Sequence, residues 1–394
     1  MTGHNQKLSF TKGESEMSDV NGNNNIGGAT TTAADIKMVM SPELLQLRKE
    51  NEELRERLQI AVEPADLTYM PTIDEPPLNP SQLYGQACSG DAITIETFMG
   101  PWTENLEENA KKFDDFKNGV MVEFGKMANR PCICCGSGPS LKKNAKELKA
   151  RENIGLVACL HSFAFLEDLE CPADYYVTLD SQEICIAELS QGGTKDEAYY
   201  WNLTKDRTLV ASFVTSPKLI EKWQGKIFWF NTVIPGEKYM ALSDKIGANT
   251  YFNTGGNALG ACYYMARAIL GAMPIAFIGA DFSFSQKKKF HPFDSPYDKM
   301  YSGLIGATDC FGNYVRTWQS YFNFAQWFMY IAIGGKGGNP TIVYNCTEGG
   351  ILGSYPQGNA RQIQQMPLKC FINSFNAYRV MRKLHSEKSK MLLY

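Results

Sequence analysis

Between residues 132 and 344, short apolar runs recur, each closed by a turn or a polar residue and separated from the next by a helically patterned segment. The runs cover 132–135, 154–160, 173–179, 208–213, 226–230, 274–278 and 341–344. Runs this short and this continuously apolar suit strands buried on both faces, which is the situation of a parallel sheet. Strands alternating with helices over so long a stretch predict an α/β fold, a mainly parallel Rossmann-like sheet with helices on both faces. Such sheets bind ligands outside the carboxyl ends of their strands. That rule picks out Gly136, Ser137, Gly138, Pro139 and Ser140 after the first run, His161 and Ser162 after the second, Asp180 after the third and Asp281 after the sixth.

The turn after the first run carries two glycines, a proline and two serines. Gly136 and Gly138 let the backbone approach a ligand closely, and Ser140 is placed to cap a helix over 141–150 whose first N–H groups would face the turn. The same residues are ordinary turn formers, and the spacing is neither that of an ATPase P-loop nor, with Pro139 lacking a donor, that of a dinucleotide fingerprint. The three clustered cysteines, Cys132, Cys134 and Cys135, lack a second ligand pair, and a strand would point alternate residues to opposite faces, so zinc is not expected. With eleven cysteines placed inside apolar stretches, buried thiols are expected rather than disulfides.

Composition sets the class. A chain of 394 residues, 44% hydrophobic, buries a large core. A net charge of -3 offers no global field for nucleic acid or anionic membrane. No apolar run reaches the ~18–20 residues that span a bilayer, and the first thirty residues lack a signal-peptide core, so a cytoplasmic protein without membrane contact is expected. Residues 1–35, rich in Asn, Gly, Thr and Ser, read as a disordered tail. In 36–61, Leu44, Leu47, Asn51, Leu54, Leu58 and Ala61 fall on a and d positions of a heptad, which predicts a short parallel coiled coil and hence a homodimer or other parallel homo-oligomer. A single amphipathic helix is the plainer alternative. Residues 62–114 form a proline-rich linker and a helical lead-in whose Trp102, Leu106, Ala110 and Phe113 read as core packing. After a globular region at 115–365, residues 366–394 read as a basic helix carrying Arg379, Arg382, Lys383, Lys388 and Lys390, a solvated face by default.

Further segments bear on chemistry. Thr254, Gly255, Gly256 and Asn257 make a glycine turn that opens a helix, a second candidate anion nest. His291 follows a lysine run on a polar loop. Asn313 and Thr317 precede an aromatic helix, and Asn345, Thr347 and Glu348 follow the last strand. The order GSGPSL, strand ending in Asp180, TGGN, GADFSF, a downstream histidine, FGN-x-x-x-T and NCTEGG resembles the MptE-like family over roughly 115–365. That family includes archaeal 6-hydroxymethylpterin diphosphokinase and the motility accessory factors that glycosylate flagellin, with a fold related to bacterial sialyltransferases.

The resemblance implies a nucleotide-activated donor, either a nucleotide sugar of the CMP-nonulosonate type or ATP, and a hydroxyl-bearing acceptor. Gly136 to Ser140 would surround the donor's phosphate and ribose, Asp180 and Asp281 would line the same crevice, and Thr254 to Asn257 would approach the donor from the next strand. His161-Ser162-Phe163 stands where a small or amide residue is more usual, which leaves the base-reading contact open. The recurrent task in either branch is to stabilise charge on phosphate oxygens while a hydroxyl attacks, which calls for N–H donors and a general base. Of the four histidines, His291 is the first choice as base. Asp180 and Asp281 would hold magnesium if the reaction requires it. A non-catalytic dimeric scaffold remains a reading from another class.

Overall fold

The computed structural model describes residues 91–234, 236–300, 303–332, 343–353 and 363–376, with side chains from residue 95 onward. The tail, the heptad, the proline-rich arm and the basic residues from Arg379 onward lie outside the described residues.

Nine parallel strands form one sheet. They are β1 (Cys132–Cys135), β2 (Gly155–Cys159), β3 (Tyr175–Thr178), β4 (Thr208–Ser212), β5 (Lys226–Thr232), β6 (Tyr251–Phe252), β7 (Ile275–Ile278), β10 (Val343–Asn345) and β11 (Ile363–Gln365), in the order β11-β10-β7-β1-β2-β3-β4-β5-β6. A hairpin of β8 (Leu304–Thr308) and β9 (Tyr314–Trp318) stands apart. The runs read from the sequence are all strands; β6, β11 and the hairpin, too short or too polar to register as apolar runs, are additions. Four helices matter below: α1 (Asp91–Ala110), α2 (Ile184–Glu188), α3 (Ala258–Tyr264), which continues as a π-helix over Met265–Ile269, and α4 (Gln319–Ala332).

Alternation along each strand divides the core in two. Cys132, Cys134, Val157, Val177 and Phe277 pack into one cluster with residues of α3 and α4. Ile133, Cys135, Leu156, Ala158, Tyr176 and Ile278 pack into the other, under the helices that connect β1 to β5. The period of two therefore sends the clustered cysteines to opposite faces, as expected of a doubly covered strand. The cysteines of the described residues are free thiols, and among those residues no group of three His, Cys, Asp or Glu is placed to hold a metal. No described helix is long and apolar enough to cross a membrane.

From β1 the chain runs outward through β2 to β6, then returns to lay β7 on the other side of β1. The strand order thus reverses between β1 and β7, which makes the space beyond Cys135 and Ile278 the topological switch point, where open α/β sheets hold their ligands.

Candidate active site

A cavity of about 470 Å³ lies at this switch point. Its wall includes Gly136 to Pro139 after β1, Leu160 and His161 after β2, Leu179 to Gln182 after β3, Gly279 to Ser283 after β7, and Gly256 to Leu259 at the head of α3. Of the residues singled out in the sequence, the fold brings Gly136, Ser137, Gly138, Pro139, His161, Asp180, Gly256, Asn257, Asp281 and His291 onto this one wall.

The turn after β1 is built differently from its expected use as a phosphate cradle. Gly136 N–H donates to Ile278 O at 2.8 Å and Gly138 N–H to Gly279 O at 2.9 Å. The Asp281 carboxylate accepts from the Ser140 backbone N–H (3.2 Å) and from its Oγ (2.5 Å). Ser140 therefore does not cap the following helix through its side chain. A Cβ at Gly136 would meet Gly279 O at 2.4 Å, and one at Gly138 would meet Asp281 Oδ2 at 2.1 Å. The glycines admit the neighbouring loop, and of the turn's donors the Ser137 N–H is left without an acceptor among the described residues. Burial pushes Asp281 up to about 6, with the Ser140 hydrogen bonds opposing it.

The residues after β10 reinforce this frame instead of facing the cavity. Thr347 Oγ1 accepts from Ala280 N–H at 3.1 Å, Asn345 Oδ1 accepts from Thr347 N–H at 3.1 Å, and Glu348 Oε1 accepts from Leu368 N–H at 3.0 Å and Asn144 Nδ2 at 3.1 Å. Asn313 belongs to the Asp309 turn of the β8–β9 hairpin, and Thr317 Oγ1 donates to Phe282 O at 2.6 Å. Ser162 Oγ donates to Cys159 O at 2.8 Å inside the core. Thr254 is buried and its Oγ1 accepts from Gly256 N–H at 3.2 Å, while Gly255, at φ +60, packs over Trp327. Asn257 is the N-cap of α3, accepting from Gly260 N–H at 2.8 Å. The N–H groups of Ala258 and Leu259, in the first turn, find no acceptor among the described residues and stand at the cavity wall.

The same cavity is lined by titratable side chains, one of which keeps an unmet nitrogen. His291 Nδ1 lies 2.8 Å from Ser137 O; a carbonyl only accepts, so Nδ1 carries the proton and Nε2 is the bare acceptor. That Nε2 is buried with no partner. Burial holds the His291 pKa below the usual imidazole range, so the ring is neutral at pH 7. The His161 ring lies tilted against that of His291 at 4.3 Å between centroids, donates through Nε2 to Gln191 Oε1 at 2.9 Å, and is pushed down to about 3 by burial and then by His291. Asp180 is raised by burial, and its Oδ1 accepts from Gln182 N–H at 2.9 Å.

Three wall elements had no signal of their own in the sequence reading. Glu188, at the end of α2, is raised to about 7 by burial and by the Asp180 charge, and accepts a long 3.4 Å hydrogen bond from Tyr297 Oη. Tyr297 and Tyr321 complete this side. Phe98 and Trp102 of α1, stacked at 5.9 Å, also line the cavity; Trp102 packs against the core as expected and borders the cavity as well. Helix α1 is clamped there by Asn105 Nδ2 on Val214 O (2.9 Å) and Asn109 Nδ2 on Thr215 O (2.8 Å), across the ends of the strands.

Residues 101–287, from α1 through β7, match the model of the family described as 6-hydroxymethylpterin diphosphokinase MptE-like. Over this stretch, just under half of the chain, the sequence is similar to the MptE-like family. The matched segment carries the whole β1–β7 frame, and His291 and Tyr297 lie just beyond it. Among solved structures, the MAf glycosyltransferase from Magnetospirillum magneticum AMB-1 aligns at 14% sequence identity with a TM-score of 0.44, covering 68% of this chain and 38% of that one. This chain thus spans well under half the length of that relative. No curated protein matches.

Proposed function

We propose that the MptE-like cavity transfers a group from a nucleotide-activated donor to a hydroxyl acceptor. The reading rests above all on His291, a neutral, buried imidazole whose tautomer is fixed by Ser137 and whose Nε2 is unmatched, on the wall of a switch-point cavity. In this reading the attacking hydroxyl gives its proton to Nε2 as its oxygen bonds to the transferred group, and the bond from that group to the departing nucleotide phosphate breaks. The phosphate leaves as an anion. The N–H groups of Ser137, Ala258 and Leu259 receive the growing charge, and the Ser137 carbonyl steadies the imidazolium.

Two donors fit this scheme. A nucleotide sugar of the CMP-nonulosonate type makes the protein a glycosyltransferase; ATP makes it a diphosphokinase acting on a pterin-like alcohol. The Asp180–Glu188 pair favours the second, since a phosphate chain passing two carboxylates needs a cation beside it. Thermal shifts with CMP, UDP, GDP, ADP and ATP, each with and without magnesium, test both. A ligand at a hundred times its Kd stabilises by about 2.7 kcal/mol. Stabilisation by CMP without metal selects glycosyl transfer, and stabilisation by ATP only with magnesium selects diphosphate transfer. Silence across the whole panel refutes the transferase reading and leaves the scaffold.

A further inference from the structure

We propose that residues 116–124 form a self-association surface whose partner is a second copy of this chain. Four of the eleven large hydrophobic side chains exposed among the described residues fall in this short stretch: Phe116 at 92%, Phe124 at 64%, Met121 at 45% and Val122 at 41%. Single exposed apolar residues are ordinary, but a group of this kind marks an interaction site. None of the four lines the cavity. Nor can they turn inward. The segment makes two single turns, Asp115–Asn118 and Val120–Glu123, in which Val120 and Glu123 take the buried positions, and the Glu123 carboxylate accepts from Tyr175 Oη at 2.5 Å. Gly119 bridges to Trp229 of β5, and Gly125 N–H donates to Ile269 O at 2.8 Å, so the stretch is pinned at its middle and at its end. Met121, Val122 and Phe124 are left on the outside.

Charge and size select the occupant. Around the surface, Lys111, Lys112, Lys117 and Lys126 pair with Glu108, Glu221, Asp114 and Glu123 of the same chain. Such a rim carries both signs. It offers an anionic lipid surface no excess of basic charge, and it does not repel a copy of itself. A two-fold contact places the same surface on both sides, so the exposed phenylalanines meet apolar side chains of the other copy. At roughly 150–250 Å² for a buried aromatic, the two phenylalanines and their neighbours fall short of the about 800 Å² that each partner gives to a stable interface. The heptad at 44–61 has the complementary weakness, being too short to hold two chains by itself. Residues 62–90 join it to the described residues and reach at most about 100 Å. Chains joined at one device therefore hold the other at an effective concentration on the order of millimolar, which turns two marginal contacts into one stable dimer.

The test is sedimentation equilibrium of the full-length protein over a wide range of concentration. A dimer is expected. Phe116→Ser combined with Phe124→Ser should weaken it by at least about tenfold with unchanged circular dichroism, and Tyr314→Ser, an exposed aromatic change on the β8–β9 hairpin, should leave it intact. If the double variant fails to fold, Met121→Lys decides. A monomer at every concentration overturns the surface, and so does a dimer of unaltered strength in the folded variants. Flotation with neutral or anionic lipid vesicles, by a protein that stays monomeric, assigns the surface to a membrane and likewise overturns the proposal. Leu47→Lys separates the two devices. Loss of the dimer in this variant as well supports their coupling, whereas a dimer that withstands Leu47→Lys and falls to the phenylalanine changes keeps the surface and removes the tether.

Discussion

The loops that frame the cavity and the titratable groups that line it use similar residues in different ways. Along the loops after β1, β7 and β10, Ser140, Asp281, Asn345, Thr347 and Glu348 find partners in one another or in Ala280, Asn144 and Leu368, and the glycines let the loops after β1 and β7 touch. On the cavity lining, burial raises Asp180 and Glu188 and leaves His291 Nε2 without a partner. Satisfied buried polar networks fix a structure; unsatisfied ones cost stability and persist where a ligand completes them. The frame wall should therefore govern folding, and the open wall should govern chemistry.

The largest effect that would break this division is on turnover. His291→Gln should lower the transfer rate by about a hundred- to ten-thousandfold, measured under whichever donor the thermal-shift panel selects, while the melting temperature barely moves because the amide can still donate to Ser137 O. Gly138→Ala should do the converse. Its Cβ would sit 2.1 Å from the Asp281 carboxylate, and overpacking of this kind costs about 1–3 kcal/mol. A histidine variant that melts early, or an alanine variant as stable as its parent, would show that the walls do not divide the work.

The next effect sharpens the comparison through pH. Asp281 titrates near 3.8 when exposed and at about 6 in the fold, so the folded state holds its proton more tightly. Below 3.8 both states are protonated and the folded state has its full stability. As pH rises to 6 the unfolded chain releases the proton first, and above that up to about 3 kcal/mol of stability has been lost. Asp281→Asn removes the titration. Its melting temperature relative to wild type should rise between pH 5 and pH 8, and a flat difference over that range would place the Asp281 proton elsewhere.

How much of this was legible in the sequence follows from the same physics. Strands buried on both faces must be apolar throughout, so β1 to β5, β7 and β10 announce themselves, and the strand-end rule then finds Asp180, Asp281 and the turn at Gly136. Glu188 and Tyr297 belong to a short helix and a loop, where nothing in the local pattern tells a solvated acid or phenol from a cavity wall. The NCTEGG segment misleads in the other direction. A glycine turn with polar neighbours reads the same whether its groups face a ligand or the next loop, and the partner of Thr347 there, the Ala280 N–H, lies more than sixty residues away. Trp102 shows a third limit: helical spacing correctly marks a face packed on the core, but does not tell that the same side chain also borders a cavity.

Trp102 also supplies the smallest and most discriminating effect. Held by the Asn105 and Asn109 clamps, it adds, with Phe98, an aromatic surface to a cavity that is also lined by Tyr297, Tyr321 and Phe324 from much later in the chain. Contact with a ligand ring is worth about 0.5–1.5 kcal/mol beyond area burial, so Trp102→Phe should weaken ligand binding by roughly two- to twelvefold with little change in stability. The matching observable is intrinsic fluorescence: ligand should quench the wild-type signal, and the variant should lose that part of the quench. An unaltered quench and affinity, with a lowered melting temperature, would return Trp102 to the core and assign α1 to the frame, leaving the open wall to Asp180, Glu188, His291 and the two tyrosines.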